Sequence, residues 1–309
     1  MPDQLEGIGR YEHQLLRRLV RLRPKDQFLF CFDRPFDQRY IYDKNVEGCV
    51  VHPPARHPFL WYLWYEWSLP RRLRRWRADL LISMDGYTSL SSKVPDLLVI
   101  HDLANFHAPD QVPWLVRRYL QYYVPRYAHK ASRLATVSEY SKRDMQEQLQ
   151  LADKKISLIP NGVPANWQAL DPDEKIQARK QWADGHFYFC ALGAIHPRKN
   201  VDGIIRGFDA FKKNTGLPHL LLIIGRQAWQ LDAVQKALSD SPFRDSIRLV
   251  GYQPDEAVHQ ILGAADALLF LSLFEGFGVP MIEAMQLGIP IVYSDRSVIP
   301  EVAGGAGEM

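Results

Sequence analysis

Residues 267–286 read ALLFLSLFEGFGVPMIEAMQ. The stretch opens on a short, unbroken apolar run, Ala267–Leu273, without the polar alternation of a strand that keeps one face wet. Such a run suits a strand covered on both faces, as in a parallel sheet. It stops at Glu275-Gly-Phe-Gly-Val-Pro and resumes as a helix. Gly276 and Gly278 allow conformations and close approaches that other residues avoid. Pro280 fits the first turn of a helix, where its missing N–H costs nothing. The N–H groups around Val279 are therefore expected at a helix N-terminus beyond the C-terminal end of a parallel strand, which is a place for an anion. Glu275 and Glu283 flank it, the latter expected in the first helical turn. Carboxylates accept well from paired sugar hydroxyls; the plainer role for Glu283 is to complement the helix dipole.

The same strand, loop and helix grammar extends outward in both directions. Phe187–Gly193, Leu220–Gly225, Ile247–Tyr252 and Pro290–Ser294 are further apolar runs, interleaved with helical patterns at Asp202–Lys213 and Glu256–Ala265. An earlier series comprises Phe28–Phe32, Cys49–His52, Leu80–Ser83, Leu97–His101, Leu134–Ser138 and Ile156–Pro160. It is led by an amphipathic stretch, Arg10–Arg23, with Tyr11, Leu15, Leu19 and Leu22 on one stripe. Alternation of this kind predicts an α/β fold. The two series are separated by a proline-bearing stretch at residues 161–184. They predict two doubly wound, Rossmann-like domains, residues 1–167 and 168–309, facing each other across a cleft.

The chain has 309 residues, 47% hydrophobic and 24% charged. That composition excludes a disordered or collagen-like chain. No run approaches the roughly 18 apolar residues of a membrane-spanning helix, and the polar start MPDQLE does not resemble a signal peptide. The net charge of +3 conceals a split. Residues 1–180 hold 28 Lys+Arg against 21 Asp+Glu, and residues 181–309 hold 10 against 14. The basic half is the candidate for an acidic surface. Cys31, Cys49 and Cys190 each sit in an apolar run and read as buried, reduced thiols in strands. That argues a cytoplasmic compartment.

Three more segments can hold chemistry. Residues 191–200, ALGAIHPRKN, run from strand to loop to helix. They set Arg198 and Lys199 side by side, a fork and a point charge that both suit phosphate; a solvated charge pair is the plainer reading. Residues 6–11, EGIGRY, put Gly7 and Gly9 at a helix start, a weak phosphate signal by itself. His101 ends an apolar strand in VIHD (99–102), where it can donate to a substrate oxygen or move a proton; a structural histidine is equally consistent. His107 and His196 have weaker claims.

Taken together and in order, these segments resemble the family-4 glycosyltransferases. The resemblance runs through GIGRY (7–11), IHD (100–102), TVSEYSKRD (136–144), LIPNGV (158–163), PRKN (197–200), LIIG (222–225), LVGY (249–252), SLFEGFGVPMIEAM (272–285) and GIPIVYSDRSVIPEVAG (288–304). It implies the GT-B fold and transfer of a sugar from a nucleotide donor with retention at the anomeric carbon. It implies that Glu275 binds donor-sugar hydroxyls near the reacting centre and that Glu283 binds the ribose. Arg198 and Lys199 hold the diphosphate, and the N–H groups of Phe277, Gly278 and Val279 contact sugar and phosphate. His101 contacts the sugar from the N-terminal side, Gly7 and Gly9 close over the phosphates, and the base lies near Gly251 and Tyr252. Side-chain cations and a helix N-terminus supply the charge that metals supply elsewhere, so no cofactor and no essential metal are expected. The chain departs from the pattern at Ala194, where many relatives have a basic residue. A GDP-mannose-type donor and a glycan or lipid-linked acceptor in cell-surface polysaccharide synthesis are the expected substrates. The alternatives are a nucleotide-sugar epimerase of the same fold and a catalytically impaired sugar-nucleotide-binding fragment.

Residues 57–77, HPFLWYLWYEWSLPRRLRRWR, set Trp61, Trp64, Trp67 and Trp76 among five arginines. A core helix, a surface for an anionic membrane at the inner face, and a nucleic-acid surface all fit such a composition. Nucleic acid is the weakest of the three and is not expected as a partner. GIGRY would ordinarily follow a strand, and GGAGEM (304–309) would ordinarily lead into further elements. The expectation is therefore a chain clipped at both ends, with a full set of donor-site residues but reduced stability.

Overall fold

A computed structural model of the chain describes residues 7–152, 155–227 and 231–309. The residues ahead of Gly7, on which the expectation of a preceding strand turns, lie outside the described residues. In the first unit, Met1–Asn161, α1 (Ile8–Leu22) leads to β1 (Phe28–Phe32) and β2 (Val46–Val50). Next come α2 (Pro58–Leu63), a π-turn over Trp64–Ser68, α3 (Leu69–Trp76), β3 (Leu81–Ser83) and β4 (Asp96–Val99). The unit continues through the one-turn α4 (Ala104–His107), α5 (Trp114–Lys130), β5 (Arg133–Thr136), α6 (Glu139–Leu149) and β6 (Ile156–Leu158). The second unit, Gly162–Met309, holds α7 (Pro172–Ala183), β7 (Tyr188–Leu192), α8 (Val201–Thr215), β8 (Leu220–Ile224), α9 (Asp232–Asp240) and β9 (Ile247–Gly251). It ends with α10 (Asp255–Gly263), β10 (Ala267–Phe270), α11 (Val279–Gln286), β11 (Ile291–Tyr293) and α12 (Ile299–Ala303).

Among the described residues every strand pairing is parallel. The second unit forms one five-stranded sheet in the order β11-β10-β7-β8-β9. Its faces divide by residue parity, as a strand's period of two requires. Cys190, Leu222 and Ile224 pack with Ile261, Met281, Ala284 and Ile299 on one side. Ala191, Leu221 and Ile223 pack with Ile205, Phe208, Val234 and Leu238 on the other. Helices on both faces make this unit doubly wound, and they explain the unbroken apolar runs. The connection enters α7 through a capping box. Asp171 accepts from Glu174 N at 2.8 Å and Glu174 accepts from Asp171 N at 2.8 Å, with Pro172 opening the helix. Val163 and Trp167 already pack with the second core. The compact unit therefore begins at Gly162, some residues before the 167/168 boundary read from the sequence. Near the chain end Glu308 pairs with Val292 beside β11.

The first unit departs from the expected single doubly wound sheet. Its strands form two sheets, β1-β2 and β3-β4-β5-β6. A groove of about 1300 Å³ is lined by all five residues of β1 and by Leu81, Ile82 and Ser83 of β3, with Leu16 and Leu19 of α1 beside them. No strand hydrogen-bonds into it among the described residues, so apolar surface there stays open. Leu22, expected on the buried stripe of α1, is exposed.

Two further expectations change. Cys31 and Cys49 are partly exposed rather than buried, and paired strands bring their sulfurs to 3.8 Å; Cys190 alone is buried. The aromatic–basic stretch divides by helix face. Trp64, Tyr65, Leu69 and Leu73 enter the core, with Trp64 Nε1 donating to Val51 O at 2.8 Å. Pro70 lacks the N–H that would return to Glu66 O, and Ser91 Oγ donates to that carbonyl at 2.7 Å instead. Phe59, Tyr62 and Trp67 remain exposed, and Arg71 lies over the Trp67 ring at 4.8 Å. Among the described residues no helix is long and apolar enough to cross a membrane.

Candidate active site

In the second sheet β7 comes first in sequence, β8 lies on one side of it and β10 on the other. The winding reverses between β7 and β10, and a crevice opens beyond the carboxyl ends of strands at such a point. The loops that leave β7 and β10 there are the two the sequence singled out. They are tied together: Leu273 N donates to Arg198 O at 2.8 Å, and Asn200 Nδ2 donates to Leu271 O at 3.1 Å. Glycines make the approach possible. Gly193 has φ +135° and leaves room for the Lys199 side chain, which a Cβ would meet at 3.2 Å. A Cβ on Gly225 would lie 2.0 Å from Gly193 O. Gly278, at φ +94°, leads directly into α11.

Glu275 is 6% exposed. Lys199 Nζ reaches its Oε1 at 2.6 Å, and Arg198 Nη1 reaches its Oε2 at 3.3 Å and Phe274 O at 3.1 Å. Glu275 N donates to Ser297 Oγ at 2.9 Å. Burial alone would raise the Glu275 carboxyl. Lys199 and Arg198, with a hydrogen bond from Ser272, outweigh it and hold the group below the usual carboxylate range. The site is thus an ionised carboxylate clamped by two cations at the mouth of a parallel sheet. An incoming phosphate can share those cations, and the carboxylate can accept from hydroxyls.

α11 begins at Val279 with no side-chain cap on Gly278; Pro280 has no N–H and Met281 N donates to Gly278 O at 3.0 Å, so the Val279 N–H is the group of this first turn suited to an anion. Phe277, Gly278 and Val279 sit at this start. Glu283 is corrected in position: it is the fifth residue of α11, beyond the first turn, and 1% exposed. Gly251, at φ +78°, and Tyr252 lie at the end of β9, and Gly251 O accepts from Gly225 N at 2.8 Å. His196 proves to be a capping residue, its Nδ1 accepting from Arg198 N at 3.1 Å.

The remaining candidates belong to the first unit. His101 follows β4, its Nε2 lies 2.9 Å from Met84 O, and its ring meets Tyr11 edge-on at 4.8 Å. A carbonyl only accepts, so Nε2 donates. Burial lowers the imidazole pKa, which leaves a neutral ring with Nδ1 as an acceptor. Gly7 caps α1 at φ +47°, while Gly9 is already inside its first turn. Tyr11 connects this helix start to His101. His107 Nε2 pairs with Asp144 at 2.7 Å. Ser272 and Ser297, which brace Glu275, escaped the sequence reading; hydroxyl residues just past strand ends were the available signal.

Known proteins resemble this chain over nearly its whole length. The family model for Glycosyltransferase Family 4 matches residues 5–167, and that for glycosyl transferases group 1 matches residues 172–307. The O-antigen chain mannosyltransferase B of Escherichia coli is 25% identical over 315 aligned positions, covering 98% of this chain and 82% of that one. The O-antigen chain mannosyltransferase RfbU of Salmonella typhimurium is 25% identical, covering 84% and 68%. The crystal structure of Anabaena HepE in complex with UDP and glucose superposes with a TM-score of 0.70 at 17% identity, covering 96% of this chain and 80% of that one. The first family match alone spans more than half of the chain, and the chain belongs to the family-4 glycosyltransferases, with the GT-B fold.

Proposed function

We propose that the chain transfers a hexosyl residue, with mannose the leading candidate, from a nucleoside-diphosphate donor to a glycan or lipid-linked acceptor in cell-surface polysaccharide assembly, with retention of anomeric configuration. The observation behind this is the Glu275–Lys199–Arg198 clamp at the reversal point of the second sheet. The mannosyl reading is supported by the two O-antigen relatives. As the glycosidic bond to the donor breaks, negative charge grows on the β-phosphate. Arg198, Lys199 and the N-terminus of α11 stabilise that charge without rearranging. Glu275 accepts from sugar hydroxyls, and His101 in the first unit offers Nδ1 as an acceptor to a substrate hydroxyl. Glu283 is the ribose contact, and Gly251 and Tyr252 lie near the base. The departing phosphate assists in removing the acceptor's proton. No metal takes part in this scheme, so EDTA leaves turnover unchanged.

The exposed aromatic and arginine side chains of α2, α3 and α5 provide a docking face for an anionic membrane at the cytoplasmic side, which brings a lipid-linked acceptor within reach. The test of the donor assignment is thermal shift against GDP, UDP, ADP and dTDP, alone and with their sugars attached. GDP and GDP-mannose are expected to raise the melting temperature most, and mannose transfer should follow with the α-configuration retained in the product. A larger shift with UDP would reassign the donor, and no shift with any nucleotide would overturn the reading.

A further inference from the structure

Cys31 and Cys49 are partners in the register of β1 and β2. In-register residues of adjacent strands point to the same face, and the two Sγ atoms lie 3.8 Å apart. Neighbouring strands are about 4.8 Å apart, inside the Cα separation range that a disulfide spans. Both thiols are partly exposed, and Cys31 lines the open groove beside β3. Small oxidants therefore have a path to them that Cys190, buried in the second sheet, does not offer.

The surroundings distinguish the two sulfurs. Arg72 of α3 pairs through Nη2 with Glu47 Oε1 at 2.7 Å, and its Nε is buried without a hydrogen-bond partner. A thiolate on Cys49 is the acceptor that this guanidinium can serve. The hydrogen bond from Cys31, then Arg72, pull Cys49 down to about 6 against the effect of burial. The same hydrogen bond and deeper burial push Cys31 up. The two sulfurs share one hydrogen bond; when Cys49 ionises beside Arg72, the Cys31 thiol is left as the donor between them, an arrangement suited to oxidation.

We propose that Cys31 and Cys49 form a hydroperoxide-responsive dithiol, with Cys49 oxidised first and Cys31 resolving it to a disulfide that ties β1 to β2. The Cys49 thiolate attacks the terminal peroxide oxygen. The O–O bond breaks, the alcohol or water leaves with a proton, and Cys49 becomes a sulfenic acid. Cys31 then attacks the Cys49 sulfur, the S–O bond breaks, and hydroxide departs with the Cys31 proton as water. Two thiols and one hydroperoxide give one disulfide, one alcohol and one water; the sulfurs lose the two electrons that the peroxide gains.

The test exposes the native full-length protein to a slight excess of hydrogen peroxide at pH 7, blocks the remaining thiols and maps the peptides without reduction. The expected product joins the Cys31 and Cys49 peptides within one chain, returns to dithiol with dithiothreitol, and leaves Cys190 reduced. Cys31→Ser should stop at a Cys49 sulfenic acid that dimedone traps, and Cys49→Ser should oxidise about tenfold more slowly. Should either serine variant fail to fold, the wild type still decides, because Cys49 should be alkylated with a pH midpoint that Arg72→Met moves upward. Native Cys49 reacting no faster than Cys190, or oxidation ending in links between chains or in sulfinic acid without the 31–49 link, would overturn the proposal.

Discussion

A carboxylate 6% exposed between two cations depends on both of them. Removing one partner of a buried pair costs about 3–5 kcal/mol, because the charge left behind has lost its compensation. Lys199→Ala leaves Arg198 on Glu275, so it should destabilise the second unit by less than that range, measurable by urea unfolding. Glu275→Gln separates binding from chemistry. It keeps the shape and frees both cations, so nucleoside diphosphate should bind at least as tightly while turnover falls about 100-fold. A parallel loss of nucleotide affinity would move Glu275 out of the transfer step. A second carboxylate has the opposite linkage. Burial, then the nearby Asp85 charge, raise Glu12 on α1 to about 8. Asp85, which accepts from Tyr65 Oη and Ser83 Oγ, is itself raised by burial. A raised folded-state value means that folding favours the protonated form. The stability is fully present below the ordinary carboxylate range and is lost as pH rises through about 8. Glu275, held low, contributes stability above the ordinary range that is lost on acidification. Glu12→Gln should remove the alkaline loss and leave the acid limb, as urea titrations at pH 5, 7 and 9 would reveal; an unchanged alkaline slope would assign that loss elsewhere.

At the scale of elements, strands were easier to read than surfaces. β7 and β8 follow their apolar runs closely because burial on both faces leaves the sequence no polar alternation to confuse. β2 begins at Val46, earlier than expected, since Glu47 and Gly48 break the apolar pattern on a strand with one open side. The stretch 57–77 was undecidable because its composition does not say which helix face meets the core. Trp64 goes in, Trp67 stays out, and Arg72 turns toward Glu47 and Cys49 rather than solvent. Phe59, Tyr62 and Trp67 are exposed, as are Arg71, Arg74 and Arg75 of α3 and Trp114 and Tyr122 of α5, with Arg126 stacked over Tyr122 at 3.5 Å. Tyr62 and Tyr123, at 6.2 Å, link α2 to α5. The membrane test therefore excludes Arg72. Changing Arg71, Arg74 and Arg75 to Gln should reduce co-sedimentation with anionic vesicles at low salt, and Trp67→Ala with Trp114→Ala should reduce it at any salt. Equal recovery of wild type and variants at all salt concentrations would dismiss the docking face.

At the scale of the whole molecule, the site motifs were legible because a ligand site at a strand's end needs glycine and charge within one loop. Glu275 and its cations, 76 and 77 residues apart, meet only through the order of β7 and β10, which no local pattern encodes. The division of the first unit into two sheets was hidden for the same reason: strands can be read singly, but pairing is a property of the fold. That division has an energetic consequence. The second unit closes a five-stranded sheet under helices on both faces, whereas among the described residues the first leaves open a groove of about 1300 Å³ lined by both apolar and charged side chains, the whole of β1 included. Less apolar burial means less stabilisation, at about 25 cal/mol per Å². The first unit should therefore melt below the second, giving two calorimetric transitions instead of one. Each unit has its own core, which permits that separation. Nucleotide provides the discriminating measurement. A ligand held by Arg198, Lys199 and the start of α11 binds only the folded second unit, so at 100 times its dissociation constant it adds about 2.7 kcal/mol there. The upper transition should rise with nucleotide concentration and the lower one should stay in place. If both rise together, or if the lower rises alone, the nucleotide is held by more than the loops of β7 and β10, and the first unit must contribute to its binding.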